Sequence, residues 1–143
     1  MRAQDAFVAC VVGHLRPVKD PFLAAEAARL VPASSRLRVL QVGAALSEDM
    51  RSRAEAEQAL DRRYRWLGAL ARRETLRTIA SSHVLVVSSR MEGGANVVAE
   101  AVMASTPVLA TRIDGTIGML GAQYPGYFAV GDARALAALL ERA

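Results

Sequence analysis

The stretch that decides the fold is Ser88-Ser89-Arg90-Met91-Glu92-Gly93-Gly94-Ala95-Asn96-Val97-Val98-Ala99-Glu100-Ala101. It lies between two apolar runs, 83–87 and 106–110, which are typical of fully buried strands. A loop with two adjacent glycines follows the first run, and a short apolar helix follows the loop. This succession predicts a parallel α/β sheet, in which ligands bind beyond the carboxyl ends of the strands.

Glu100 is an acid on this apolar helix, between Ala99 and Ala101. A carboxylate buried without partners is strongly destabilising, so hydrogen-bond donors are expected around it. A ribose diol offers two hydroxyl donors side by side. The alternative, from the residues alone, is a helix whose Glu100 faces water.

Glu92 is expected in the loop rather than on the helix. Residues eight apart on one helix differ in direction by about 80°, so Glu92 and Glu100 would not share a helix face. Gly93 and Gly94 allow unusual backbone angles and a close approach to a ligand. Asn96 is predicted to cap the helix, whose free N–H groups then form an anion site.

Six strands alternate with helices along the chain, at 6–12, 38–43, 64–68, 83–87, 108–110 and 127–130. This order predicts a Rossmann-like parallel sheet of about six strands with helices on both faces. Helix starts are predicted at Asp20-Pro21, at Ser47 and at Asp132. Mixed charges over 51–63 indicate a solvated surface helix, and Trp66 is expected in the core.

The loop after the first strand contains three side chains that can carry positive charge, His14, Arg16 and Lys19. A basic loop between a strand end and a helix start is a candidate phosphate site. The alternative is a solvated basic loop with no ligand.

A second glycine-punctuated segment covers residues 112–121. Its glycines do not follow the dinucleotide-binding fingerprint. We expect either a mobile loop near the site, with Arg112 as an anion contact, or a plain structural connection.

The composition indicates one intracellular domain. The 143 residues are 52% apolar with a net charge of +4, and basic residues do not alternate with aromatic ones. Nucleic-acid binding is therefore disfavoured, and an anionic small ligand suffices. The single cysteine, Cys10, is expected to be buried in reducing surroundings. No membrane span or signal peptide is recognised, which predicts a cytoplasmic location.

Several catalytic motifs are missing from the sequence. It contains neither a Walker loop nor a G-x-S-x-G elbow. His14 and His83 lack the spacing of metal ligands, and no D-x-D pair is present to hold a divalent ion on a diphosphate. The remaining interpretation is a nucleotide pocket without metal or other cofactor.

Three segments together resemble the retaining glycosyltransferases of family 4. The Glu92-x7-Glu100 pair is similar to their E-x7-E motif, residues 13–19 look like their G-R-L-x-x-x-K segment, and residues 65–68 resemble their third-strand signature. This resemblance implies one half of the two-domain GT-B fold. It also implies that residues 1–143 form the C-terminal, nucleotide-sugar-binding domain and that the N-terminal acceptor domain is absent from the chain.

The resemblance also implies roles for individual residues. Lys19 would contact the donor diphosphate, Glu100 the ribose hydroxyls and Glu92 a hydroxyl of the donor sugar. N–H groups around Gly94 and Ala95 would hold phosphate or sugar. A UDP-sugar is the favoured donor.

The chain departs from the family pattern at two places. His14 stands where arginine is usual, so Arg16 is a candidate to take over that phosphate contact. Residues 94–96 stand where the family has an aromatic-Gly-Leu segment, so the resemblance does not identify the donor sugar. The segments 14–20 and 92–100 also resemble the selenosugar synthase subgroup.

Two other functions remain open from the sequence. One is a glycoside hydrolase that uses Glu92 and Glu100 as its carboxylate pair. The other is a non-catalytic α/β nucleotide-binding module in which both glutamates are structural.

Overall fold

Six parallel strands form a single sheet in the computed structural model, which describes residues 6–93 and 96–143. The order across the sheet is β3-β2-β1-β4-β5-β6. The strands are β1 (Phe7–Val12), β2 (Leu37–Val42), β3 (Tyr64–Gly68), β4 (Val84–Val87), β5 (Val108–Thr111) and β6 (Tyr127–Phe128). The predicted Rossmann-like fold is confirmed.

The helices cover both faces of the sheet. They are α1 (Leu23–Leu30), α2 (Glu48–Leu60), α3 (Arg72–Ser81), α4 (Asn96–Met103), α5 (Asp114–Leu120) and α6 (Ala133–Arg142). Successive strand residues point to opposite faces, so Ala9 belongs to a core cluster with α1, α2 and α6. Its neighbour Cys10 belongs to a second cluster with α3 and α4. No helix among the described residues is long and apolar enough to cross a membrane.

The order of the strands reverses between β1 and β4, which are adjacent in the sheet. Ala9 pairs with Val84, and Cys10 pairs with Leu85. From β1 the chain proceeds to β2 on one side, whereas β4 leads to β5 on the other. Such a reversal separates the two connecting loops and opens a crevice at the carboxyl ends of β1 and β4.

The start of α1 differs from the prediction. A short 3-10 helix (Pro17–Lys19) precedes it, and Asp20 closes that turn in a left-handed conformation with φ 44°. The helix α1 then begins at Leu23, so Asp20 is not its cap. Pro17 supplies the fixed φ that starts the earlier turn. The caps predicted at Ser47 and Asp132 are confirmed, since their side chains accept from backbone N–H groups at 3.2 Å and 3.0 Å.

The charged segment 51–63 is not entirely solvated, because the Glu57 side chain is buried. Its carboxylate accepts from Arg29, and also from Arg53 Nε at 2.7 Å. Arg53 also donates to Glu26 at 2.9 Å. This ionic cluster fastens α2 to α1. Trp66 packs against the core as predicted, and its Nε1 donates to the Gly43 carbonyl at 2.8 Å.

Gly43 lies where the ends of β1 and β2 meet. Its φ is +152°, and a Cβ there would lie 1.8 Å from the Gly13 carbonyl oxygen. We predict that Gly43→Ala lowers the free energy of unfolding by about 2–3 kcal/mol, because backbone has to move. Equilibrium urea unfolding measures the change.

The matched control for this variant is Gly118→Ala on α5, where a Cβ would meet nothing within 4 Å. An alanine at this helical position should be neutral or stabilising by up to about 1 kcal/mol. Equal stability of the Gly43→Ala variant and the wild type would contradict the close approach of the two strand ends.

Candidate functional site

Hydrogen bonds join the basic segment that follows β1 to the loop that follows β4. The Arg90 N–H donates to the Val18 carbonyl at 2.8 Å. The Ser88 hydroxyl donates to the Asp20 carbonyl, also at 2.8 Å. Burial raises the pKa of Asp20, and the nearby Arg90 opposes that shift. The two loops predicted to form the site are therefore side by side.

An ion pair lies at the centre of this junction. Lys19 Nζ is 2.6 Å from Glu92 Oε1, and the Ser89 hydroxyl donates to the same oxygen at 2.7 Å. The Lys19 and Glu92 side chains are 27% and 10% exposed. The structure thus brings together Lys19, predicted to contact the donor diphosphate, and Glu92, predicted to contact the donor sugar, and it holds Glu92 with two donors.

The end of β5 and the first turn of α5 pack against the loop that contains Glu92. The Thr111 hydroxyl donates to the Ser89 carbonyl at 2.7 Å, and the buried Thr116 hydroxyl donates to the Thr111 carbonyl. A Cβ on Gly115 would lie 2.1 Å from the Glu92 carbonyl oxygen. Only a glycine allows the helix to pack this closely against the loop.

The prediction of a mobile loop over 112–121 is wrong, because most of this segment forms the helix α5. The Arg112 guanidinium donates to the Ala122 carbonyl at 3.1 Å and lies 5.3 Å from the centre of the Tyr127 ring. Arg112 lines a separate cavity with Tyr127 and Phe128. The segment nevertheless lies near the predicted site, because Asp114 and Gly115 line the same cavity as Lys19.

Two cavities share Lys19 and Glu92. The first, of about 370 Å³, also contains Glu100 and is named here the Glu100 cleft. Its lining includes the predicted site residues His14, Lys19, Glu92, Asn96 and Glu100. The second, the Arg16 cleft, has a volume of about 740 Å³ and is lined by Arg16, Lys19, Arg90, Glu92, Gly93 and Asp114, among others.

The structure therefore places most of the predicted site residues around one crevice. Gly94 and Ala95, predicted to hold phosphate or sugar, lie outside the described residues. Asn96 already belongs to α4, so it is not the cap that was predicted, and the cap position itself lies outside the described residues. Of the two clefts, Gly93 lines the Arg16 cleft and not the Glu100 cleft.

Glu100 has a partner that the sequence analysis missed. Its Oε2 is 2.9 Å from the Arg72 guanidinium, and the two side chains are 21% and 77% exposed, respectively. Arg72 is the first residue of α3 and lines the Glu100 cleft. One signal was available, since α3 follows β3 and thus begins at the same edge of the sheet. Gln41, at the end of β2, lines the same cleft and was also missed.

The crevice combines acceptors for hydroxyl groups with cations for an anion. Glu92 and Glu100 are each bonded to a cationic side chain, Lys19 and Arg72. The hydroxyls of a ligand could replace the cations beside the two glutamates, and its phosphates could replace the carboxylates beside Lys19 and Arg72. The fold and the crevice thus define an α/β protein with a polar crevice at the strand ends, which is where folds of this class bind their ligands.

The chain belongs to the glycosyl transferases group 1 family, whose model matches residues 2–143. No curated protein sequence matches it significantly. The fold is that of one half of a GT-B glycosyltransferase, as the following similar structures show.

Alr3699/HepE from Anabaena, in complex with UDP and glucose, is 21% identical with a TM-score of 0.84, over 96% of this chain and 38% of that chain. The trehalose-6-phosphate synthase OtsA is 18% identical with a TM-score of 0.83, over 98% and 36%. A TarM variant from S. aureus, in complex with ligands that include UDP, is 18% identical with a TM-score of 0.80, over 96% and 28%. The chain thus spans well under half of the length of each of these structures.

The two ion pairs of the crevice should differ in their effect on stability. We predict that Lys19→Met lowers the free energy of unfolding by about 1–2 kcal/mol, because it leaves the largely buried Glu92 carboxylate with one donor fewer. Arg72→Met should change it by less than about 0.5 kcal/mol, since the Arg72 guanidinium is mostly exposed. Urea unfolding of both variants tests the difference, and equal losses would contradict the burial of Glu92.

Proposed function

We propose that this chain is the donor-binding half of a retaining glycosyltransferase. It would bind a nucleoside-diphosphate sugar, with a UDP-sugar favoured, and support sugar transfer to an acceptor without a metal ion. The observation that carries the proposal is the meeting of His14, Lys19, Glu92 and Glu100 in one cleft at the strand ends, in a chain of the group 1 family.

Each residue has a task that fits its place in the crevice. The Glu100 carboxylate would accept from both ribose hydroxyls, and its contact with Arg72 would loosen or be shared when they arrive. Lys19 would contact the diphosphate, with His14 and Arg16 beside it. Glu92, together with N–H groups near Gly93, would hold the donor sugar.

Sugar transfer from a nucleoside-diphosphate sugar requires stabilisation of the diphosphate leaving group. When the bond between the anomeric carbon and the diphosphate breaks, negative charge builds on the diphosphate while the sugar takes oxocarbenium character. A cation already fixed in place stabilises that charge without reorganising at the moment of reaction. The segment that carries Lys19 is held by the hydrogen bond from the Arg90 N–H to the Val18 carbonyl at 2.8 Å, so Lys19 would stay beside the diphosphate when the ligand displaces its contact with Glu92.

The acceptor would be bound by a second, N-terminal domain of the GT-B fold. The chain covers 38% of the Anabaena structure that it matches, which supports a partner domain beyond these residues. Cytoplasmic location and membership of the selenosugar synthase subgroup also stay predictions.

The contacts of the two glutamates favour this proposal over a glycoside hydrolase. A hydrolase needs one carboxyl group that donates a proton to the leaving oxygen. Glu92 instead accepts a hydrogen bond from Lys19, and Glu100 forms an ion pair with Arg72. The cationic groups along both clefts also suit a phosphate, for which a simple glycosidase has no use.

Thermal unfolding with UDP, GDP, ADP and their sugars tests nucleotide binding. A ligand at 100 times its Kd stabilises the folded chain by about 2.7 kcal/mol. We expect UDP or a UDP-sugar to raise Tm most, with the shift unchanged by EDTA. Glu100→Gln should remove most of it, whereas the control Glu55→Gln, at an exposed position of α2, should keep it. A full shift in Glu100→Gln would remove Glu100 from the binding site.

Sugar transfer is expected to need the second domain. We predict that the 143-residue chain alone binds nucleotide but transfers little or no sugar, because it lacks the acceptor side of the crevice. Product analysis with a UDP-sugar and candidate acceptors measures this. Robust sugar transfer by the chain alone would disprove the need for a second domain. Hydrolysis of aryl glycosides without nucleotide would favour the glycoside hydrolase.

A further inference from the structure

Gln41 is an unusual residue for its position on β2. The residues before it on the same face of the strand, Leu37 and Val39, are buried and apolar. Gln41 is also fully buried, yet its Nε2 has no hydrogen-bond partner. Among the described residues it is the only buried side-chain nitrogen or oxygen in this condition.

The orientation of the Gln41 amide is set by Tyr64. The Tyr64 hydroxyl donates to Gln41 Oε1 at 3.0 Å and makes no other hydrogen bond within the described part of the chain. Burial, together with the charge of Glu57, raises the pKa of Tyr64, so the phenol keeps its proton and must donate it. Oε1 therefore faces Tyr64, and Nε2 is the end left over.

Gln41 is one of the residues that line the Glu100 cleft. It shares the lining of that cleft with His14 and Lys19, and its partner on β1 is Val11, near the carboxyl end of that strand. A buried donor without an acceptor destabilises the fold, whereas an aliphatic side chain would not. A polar residue kept here at that cost indicates an acceptor that arrives with the ligand.

We propose that Gln41 is a ligand-binding residue, whose Nε2 donates to an oxygen of the diphosphate held near His14 and Lys19. This inference rests on the proposed function. A donor beside Lys19 suits an anionic oxygen better than a sugar hydroxyl, because hydrogen bonds to charged acceptors are the stronger ones. Gln41 has no accessible surface in the free chain, so the proposal requires the side chains that cover Nε2 to move aside on binding, while Oε1 keeps its hydrogen bond with Tyr64.

The test compares Gln41→Met with Tyr64→Phe, which breaks the same hydrogen bond from the other side and leaves Nε2 in place. Affinities for UDP and for uridine, which lacks phosphate, are measured by NMR titration. We expect Gln41→Met to raise the Kd for UDP about tenfold, equivalent to about 1.4 kcal/mol, and to leave that for uridine unchanged. Tyr64→Phe should leave both within about twofold of wild type.

Three results would overturn the inference while leaving the proposed function intact. The first is a wild-type affinity of Gln41→Met for UDP. The second is an equal loss of UDP affinity in Gln41→Met and Tyr64→Phe. The third is a loss of affinity in Gln41→Met that is equal for uridine and UDP. If the wild-type chain bound no UDP, the proposed function and this inference would fall together.

A measurement on the wild-type chain covers the case in which Gln41→Met does not fold. The side-chain amide protons of Gln41 should shift in the NMR spectrum when UDP is added, and much less when uridine is added. Side-chain amide signals of Gln58 and Gln123, which do not line the Glu100 cleft, serve as internal controls. An unshifted Gln41 signal at saturating UDP would overturn the inference.

Discussion

The pairing of β1 with β4 is the constraint on which the whole site depends. It places strands that lie far apart in the sequence side by side and in parallel, so that both carboxyl ends open at one edge. The contact between Lys19 and Glu92 joins residues 73 positions apart and exists only because of that pairing. Because the strand order reverses at the same place, the chain leaves β1 and β4 toward opposite sides of the sheet, and a crevice forms beside the junction of the two loops.

Charge in this crevice is largely balanced within the protein. Glu92 and Glu100 each already have a cationic partner, the half-buried Lys19 at the junction of the loops and the mostly exposed Arg72. A ligand therefore exchanges contacts instead of neutralising bare charges. In the proposed function, an exchange of this kind would favour ligands that present hydroxyls and phosphates at the right separation, since a partial match leaves an ion unpaired.

Rigid packing below the crevice holds these groups in place. The start of α5 is pressed against the backbone of Glu92, at a distance that only Gly115 allows. On the other side, the ionic cluster of Glu57 fastens α2 to α1. Tyr64 lies near Glu57 and reaches Gln41 at the cleft. Polar groups inside the fold thus extend up to the binding site, where precise placement matters most.

The sequence by itself determined the alternation of strands and helices, the caps at Ser47 and Asp132, and the gathering of Lys19, Glu92 and Glu100 at one edge. These follow from periodicity, local hydrogen bonds and the rule that parallel strands end together. Only the tertiary structure decided the contact of Arg72 with Glu100, the place of Gln41 in the cleft lining, the burial of Glu57 and the helix α5. Such features depend on which surfaces meet across the sheet, and residues distant in sequence leave no local pattern to predict that.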